Sequence, residues 1–229
     1  MTNVSDQART AIVESIRAHL AASKGIFQAE HHVVPFRGET IPESEPHSPI
    51  EMFRGRLESV GGHCIVADDE SAAGNALAAI VAGLHERKIV KRIALSDAPL
   101  VSVLAQNLAA EEITICPAPA DLFNYDVGIT TAQAAIAETG TLVLEAESEK
   151  HRLVSLLPPV HIAIVNSRDM CLTIGEALAL LRGEKGKMSR AITFVTGPSR
   201  TADIELTLTV GVHGPKELFV IVIENHENS

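Results

Sequence analysis

The sequence has 229 residues, enough for one sizeable α/β domain with an appendage, and 46% of them are hydrophobic. Aromatics make up 3%, with no Trp and a single Tyr, so the core must be built of Ala, Val, Ile and Leu. A formal charge of −10 combined with so few aromatic stacking platforms excludes nucleic-acid binding.

In chain order, residues 5–23 place Ile12, Ile16 and Leu20 at i, i+4 spacing, which predicts an amphipathic helix capped by Gly25. Residues 25–49 hold four of the eleven prolines and no periodicity, the pattern of an extended linker. His31-His32 in that linker has no third metal ligand nearby. The expected division is therefore an arm of residues 1–48 and an α/β domain of residues 49–229.

Residues 49–61 predict a helix ending at Gly61-Gly62, followed by the short apolar run HCIVA (63–67). Residues 69–88 open with acids and close with His85, Arg87 and Lys88, the polarity that a helix dipole favours. RIALSD (92–97) reads as a strand, and Pro99 stands where a new helix begins. Further apolar runs follow at 113–116, 126–130, 141–145, 161–166, 192–196 and 218–223. Helices are expected between most of them, notably at 130–138 and 173–183. Short apolar strands alternating with helices signify a three-layer α/β/α fold around a mostly parallel sheet.

Cys64, Cys116 and Cys171 form no C-x-x-C pair, so the chain offers neither an iron–sulfur ligand set nor a zinc knuckle by itself. Scattered thiols, no signal peptide at the start and no apolar run of bilayer length point to a cytoplasmic protein without a membrane span.

Polar residues gather at the ends of the predicted strands, where open α/β proteins keep their ligands. Asp69, Ser96, Asp97 and Asn166 suit helix capping. Two clusters exceed that need. One is Thr130-Thr131 leading to Glu138-Thr139-Gly140, where a carboxylate ringed by hydroxyls and amides suits a nucleophile, a base or a ligand clamp. The other is Thr196-Gly197-Pro198-Ser199-Arg200, with Thr201 and Asp203 expected to open a helix. A helix start beside an arginine makes an anion site, and His213 stands in a constrained turn close by in sequence. Arg200, the 197–203 turn, His213 and Glu138 are expected to converge on one pocket at the carboxyl ends of the sheet.

The runs ITTAQAAIAETGTLVLE (129–145), LVSLLPPVHIAIV (153–165) and TFVTGPSRTADIELTLTVGVHGPKEL (193–218) resemble the lactate-utilisation (LUD) domain family, in its lactate utilisation protein C branch. The resemblance covers about residues 50–229. It implies a fold like that of ribose-5-phosphate isomerase, glucosamine-6-phosphate deaminase and the CoA transferases. It also implies a part in a three-protein system that oxidises L-lactate to pyruvate, with iron–sulfur clusters on partner proteins and none bound by this chain alone. A small carboxylate such as lactate or pyruvate is then the ligand for Arg200, Gly197, Ser199, Thr201, Asp203, Thr196 and the 130–140 threonines, with Glu138 and His213 as catalytic candidates. Two other readings stand beside it. One is a stand-alone acyl or CoA transferase using Glu138, and the other is a metabolite-sensing regulatory module.

Overall fold

The structure is a computed structural model, and it describes residues 4–23, 48–145, 149–182, 189, 191–201, 209–210 and 214–224. The chain divides into two units, Met1–Glu45 and Pro46–Ser229. The first contains helix α1 (Val4–Ser23), on which Ile12 and Ile16 are exposed. The expected Gly25 cap, the linker and His31-His32 lie outside the described residues.

In the second unit, α2 (Pro49–Ser59) opens with a reciprocal cap: Ser48 Oγ accepts from the Glu51 amide while Glu51 accepts from that of Ser48, both at 3.2 Å. Strand β1 (His63–Ala67) follows, then α3 (Glu70–Glu86), whose N-cap Asp69 accepts from Ala72 N–H at 2.7 Å. Next come β2 (Arg92–Leu95), α4 (Pro99–Leu104), β3 (Glu112–Ile115) and β4 (Val127–Thr131). The chain continues through β5 (Ala134–Ile136), β6 (Thr141–Glu145), α5 (Glu149–Leu156), β7 (Val160–Asn166), β8 (Met170–Cys171) and α6 (Ile174–Arg182). It ends with β9 (Ile192–Val195), β10 (Arg200–Thr201), β11 (Thr209–Val210) and β12 (Glu217–Ile223).

Six strands form a parallel sheet in the order β1-β12-β7-β4-β2-β3. The first six residues of β7 are buried, the signature of a strand covered on both faces. On one face, Leu77, Val81 and Leu84 of α3 and Val101 and Leu104 of α4 pack against Ile93, Ile129, Ile162 and Ile221. On the other, Phe53 and Leu57 of α2 join Ala135, Leu142 and Leu144 over Ala163, Val165 and Val220. Burying each such Leu or Phe contributes on the order of 1.5–3 kcal/mol. The fold is therefore α/β with helices on both sides of a mostly parallel sheet.

The second face differs from expectation in one respect. Residues 130–138 are not a helix: Thr130 and Thr131 finish β4, and β5 pairs antiparallel with β6 in a separate four-stranded sheet, β8-β5-β6-β9. Residues 141–145 and 192–195 belong to this second sheet rather than to the central one. Ala134, Ala135, Ile136 and Ala137 are all buried between α6 and the central sheet, and an amphipathic helix buries only one stripe. Tertiary burial here overrides the helix propensity of alanine.

Two glycines fix the layer spacing. A Cβ at Gly128 of β4 would strike the Val154 carbonyl of α5, so helix and strand approach closely only with glycine there. Gly140 turns the β5–β6 hairpin at φ +65° and lies against the Arg56 and Leu57 backbone of α2.

Candidate functional site

The expected site residues fall into two groups at opposite edges of the central sheet. At the amino edge, Thr139 donates to Thr141 at 2.7 Å, and the Thr141 and Thr196 hydroxyls share a bond of 3.0 Å. Arg200 Nη2 donates to the Val60 carbonyl at 2.6 Å, and the Ser199 amide donates to the Pro215 carbonyl at 2.8 Å. Val60 is the C-cap of α2, just before β1, and Pro215 stands just before β12. The Lys216 amide in turn donates to Pro159, just before β7, at 2.7 Å. Arg200 thus serves the negative end of α2, a structural position for a cation.

The helix expected to start at Thr201 is not formed there. Arg200 and Thr201 lie in β10, paired antiparallel with Val210 and Thr209 of β11. Thr201 and its partner Thr209 are β-branched, which suits a cross-strand pair better than a helix start. Asp203 and His213 lie outside the described residues.

Glu138 sits in the β5–β6 hairpin rather than at a helix-to-strand corner. Its Oε1 accepts from the Ile174 amide at 3.0 Å and its own amide donates to Leu172 O at 3.1 Å, so the carboxylate anchors the start of α6.

Thr130 and Thr131 end β4 at the carboxyl edge. Val127 at the other end of the strand is the register partner of Val160, next to Pro159. Four residues of strand separate the two levels by about 13 Å, so Thr130 and Thr131 do not share a pocket with Arg200 at the amino edge. Thr130 Oγ1 and His161 Nε2 share a hydrogen bond of 2.9 Å, with Thr130 0% and His161 1% exposed. Ser96, directly after β2, is also 0% exposed, and its amide donates to the Ile129 carbonyl at 2.9 Å. The sequence did not single out His161, and it read Ser96 as a helix cap. The one available signal for His161 was a lone histidine opening an otherwise unbroken apolar run, HIAIVN.

Other titratable groups follow their surroundings. Arg87 grips Glu217 through two bonds of 2.8 and 2.7 Å and holds its carboxyl below the usual range. Burial pushes the Cys64 and Cys171 thiols up, away from thiolate reactivity. Cys64 lies in β1, Cys116 just past β3 and Cys171 in β8. Among the described residues no three His, Cys, Asp or Glu side chains are grouped to hold a metal ion. None of the described helices is long and apolar enough to cross a membrane.

The LUD domain matches residues 50–223, and the chain belongs to that family. An uncharacterized protein of Neisseria meningitidis serogroup B is 35% identical over 156 residues, 67% of this chain and 64% of that one. Two proteins named lactate utilization protein C are also similar. That of Shouchella clausii is 42% identical over 103 residues, 44% of each chain. That of Geobacillus thermodenitrificans is 34% identical over 166 residues, 71% of this chain and 63% of that one. The chain thus spans less than two thirds of the length of each of these relatives. The crystal structure of a DUF162 family protein from Deinococcus radiodurans shares the fold, with a TM-score of 0.52 at 21% identity. It covers 78% of this chain and 99% of that one.

Proposed function

We propose that this chain is the LUD-domain component of a cytoplasmic system that oxidises L-lactate to pyruvate. The observation that carries this reading is the family match over residues 50–223, joined by relatives named lactate utilization protein C. Converting the C2 alcohol of lactate to a ketone releases two electrons and two protons, so an acceptor must receive them. The three cysteines lie in separate elements, and a cluster ordinarily takes four thiolates. The iron–sulfur clusters are therefore assigned to partner proteins, and this chain's own part is to bind the small carboxylate.

The test is reconstitution. Iron-containing partner proteins purified from lactate-grown cells are assayed for lactate-dependent dye reduction, with this chain supplied or withheld. The reading expects dye reduction to require the chain and iron to co-elute with it. Equal rates with and without the chain would overturn it.

A further inference from the structure

The central sheet contains a point where its connections diverge. The chain leaves β2 through α4 on one face to reach β3. It leaves the neighbouring β4 through the second sheet and α5 on the other face to reach β7, in the opposite direction. Adjacent strands whose connections part in this way leave a crevice beyond their carboxyl ends, where open α/β proteins bind ligands.

Two polar groups stand side by side at that level, and a third lies along α5 close to the same height. Leu95 pairs with Ile129, so Ser96 and Thr130 stand side by side one step further on. Alternation with Ala94 and Gly128 turns both toward the face that α5 covers. Ser96 Oγ is out of solvent reach and has no hydrogen-bond partner among the described residues. The third group is Arg152. Val154 of α5 lies over Gly128, and α5 runs toward the amino edge because β7 must begin there. Arg152, two residues earlier, is therefore about 3 Å nearer the carboxyl edge, level with Ile129 and Thr130. Helical side chains lean toward the helix N-terminus, which here is that same edge.

Among the described residues the Arg152 guanidinium makes no hydrogen bond or ion pair, and its Nε is out of solvent reach. Among the described residues this half-buried cation has no counter-charge and this buried hydroxyl no acceptor, and both call for an anion.

We propose that Arg152, Ser96 and Thr130 form a carboxylate-binding site at the carboxyl edge between β2 and β4. Arg152 presents its planar fork to the carboxylate, and the Ser96 hydroxyl donates to one of the same oxygens. Thr130, held by His161, supplies a hydroxyl for an oxygen on C2 of the ligand. The ligand class is a small monocarboxylate with a hydroxyl or keto group at C2. That choice rests on the lactate reading; the anion site rests on the geometry alone.

The test is calorimetric titration of the full chain, Arg152→Gln, Arg152→Lys and Ser96→Ala with sodium L-lactate, pyruvate, propionate and inorganic phosphate at millimolar concentrations. A ligand-free melting curve is recorded for each protein. The site expects a carboxylate to bind and Arg152→Gln to weaken it by about tenfold or more, the scale of a lost charge-assisted bond. Ser96→Ala should weaken binding several-fold while its ligand-free Tm stays level or rises, because removing an unpartnered buried hydroxyl relieves the fold. A serine with only a structural role would not give those opposite movements. Should Arg152→Gln fail to fold, Arg152→Lys and Ser96→Ala carry the comparison. Carboxylate binding unchanged in the variants, phosphate alone binding, or no binding at all would overturn the site. Arg152-dependent binding of propionate as tightly as lactate supports the site while removing the C2 contact. Intact binding without lactate-dependent dye reduction also supports the site and overturns only the proposed function.

Discussion

The two edges of the central sheet hold similar chemistry in opposite states. At the amino edge, the Thr139, Thr141 and Thr196 hydroxyls bond one another, and Arg200 bonds the end of α2. In the adjoining hairpin, Glu138 holds the start of α6. At the carboxyl edge, the Thr130–His161 bond is made, yet Ser96 Oγ and Arg152 Nε are sealed from solvent without partners among the described residues. A satisfied polar cluster holds elements in place, whereas a buried donor left over is a cost that a ligand can remove. Turn residues drew the sequence reading to the first edge, and hydrogen-bond accounting is the ground for proposing a ligand at the second.

The largest test of this contrast is Gly128→Ala. A methyl group there must push α5 off β4, so a loss of about 3 kcal/mol is expected in urea unfolding, with carboxylate binding lost alongside. An unaltered midpoint would mean that α5 does not hold Arg152 against β4. Thr130→Val comes next. It strands the His161 ring nitrogen and should cost about 2 kcal/mol by the same measurement.

Arg200→Ala is expected to cost only about 0.5–1 kcal/mol, the worth of a cation at an exposed helix end, and to leave carboxylate affinity unchanged. Weakened binding in that variant would return the ligand to the amino edge. The smallest effect is the pH response of the Arg87–Glu217 pair. Because Arg87 lowers the Glu217 carboxyl, the pair's contribution is complete above the ordinary carboxylate value. It fades as pH falls through the lowered one. Melting curves of wild type and Glu217→Gln should therefore differ most near neutrality, start to approach each other below about pH 4.3 and meet only below the lowered value. A gap that stays constant down to acid pH would count against the pair.

Strands β7 and β12 were legible because HIAIVN and LFVIVI are near-continuous apolar runs, which only a doubly covered strand requires. Helix α2 was legible from its end at Gly61-Gly62, and α3 from Asp69 at its start and His85, Arg87 and Lys88 at its close. The segment TTAQAAIAE failed because its alanines satisfy helix propensity as well as they fill a tight layer between two sheets. The carboxyl-edge cluster was illegible for a different reason. Ser96, Thr130 and His161 become neighbours only through strand order, and no local pattern states that β4 lies between β2 and β7. Membership in the LUD family was readable from the runs themselves, since the match extends over residues 50–223.

The pairing of β1 with β12 has a consequence for biosynthesis. His63 is the register partner of Phe219, and β12 is the only described strand that β1 joins. During translation the first strand of the domain must therefore wait for the last to leave the ribosome. At ordinary elongation rates that wait is on the order of ten seconds. Through that interval the inner flanks of β1 and β7 are both unpaired, and the loop to be closed is nearly as long as the domain. Folding of this unit is thus completed only once β12 is available to slide between two strands made earlier. A nascent chain stalled before residue 217 would present those two flanks to chaperones.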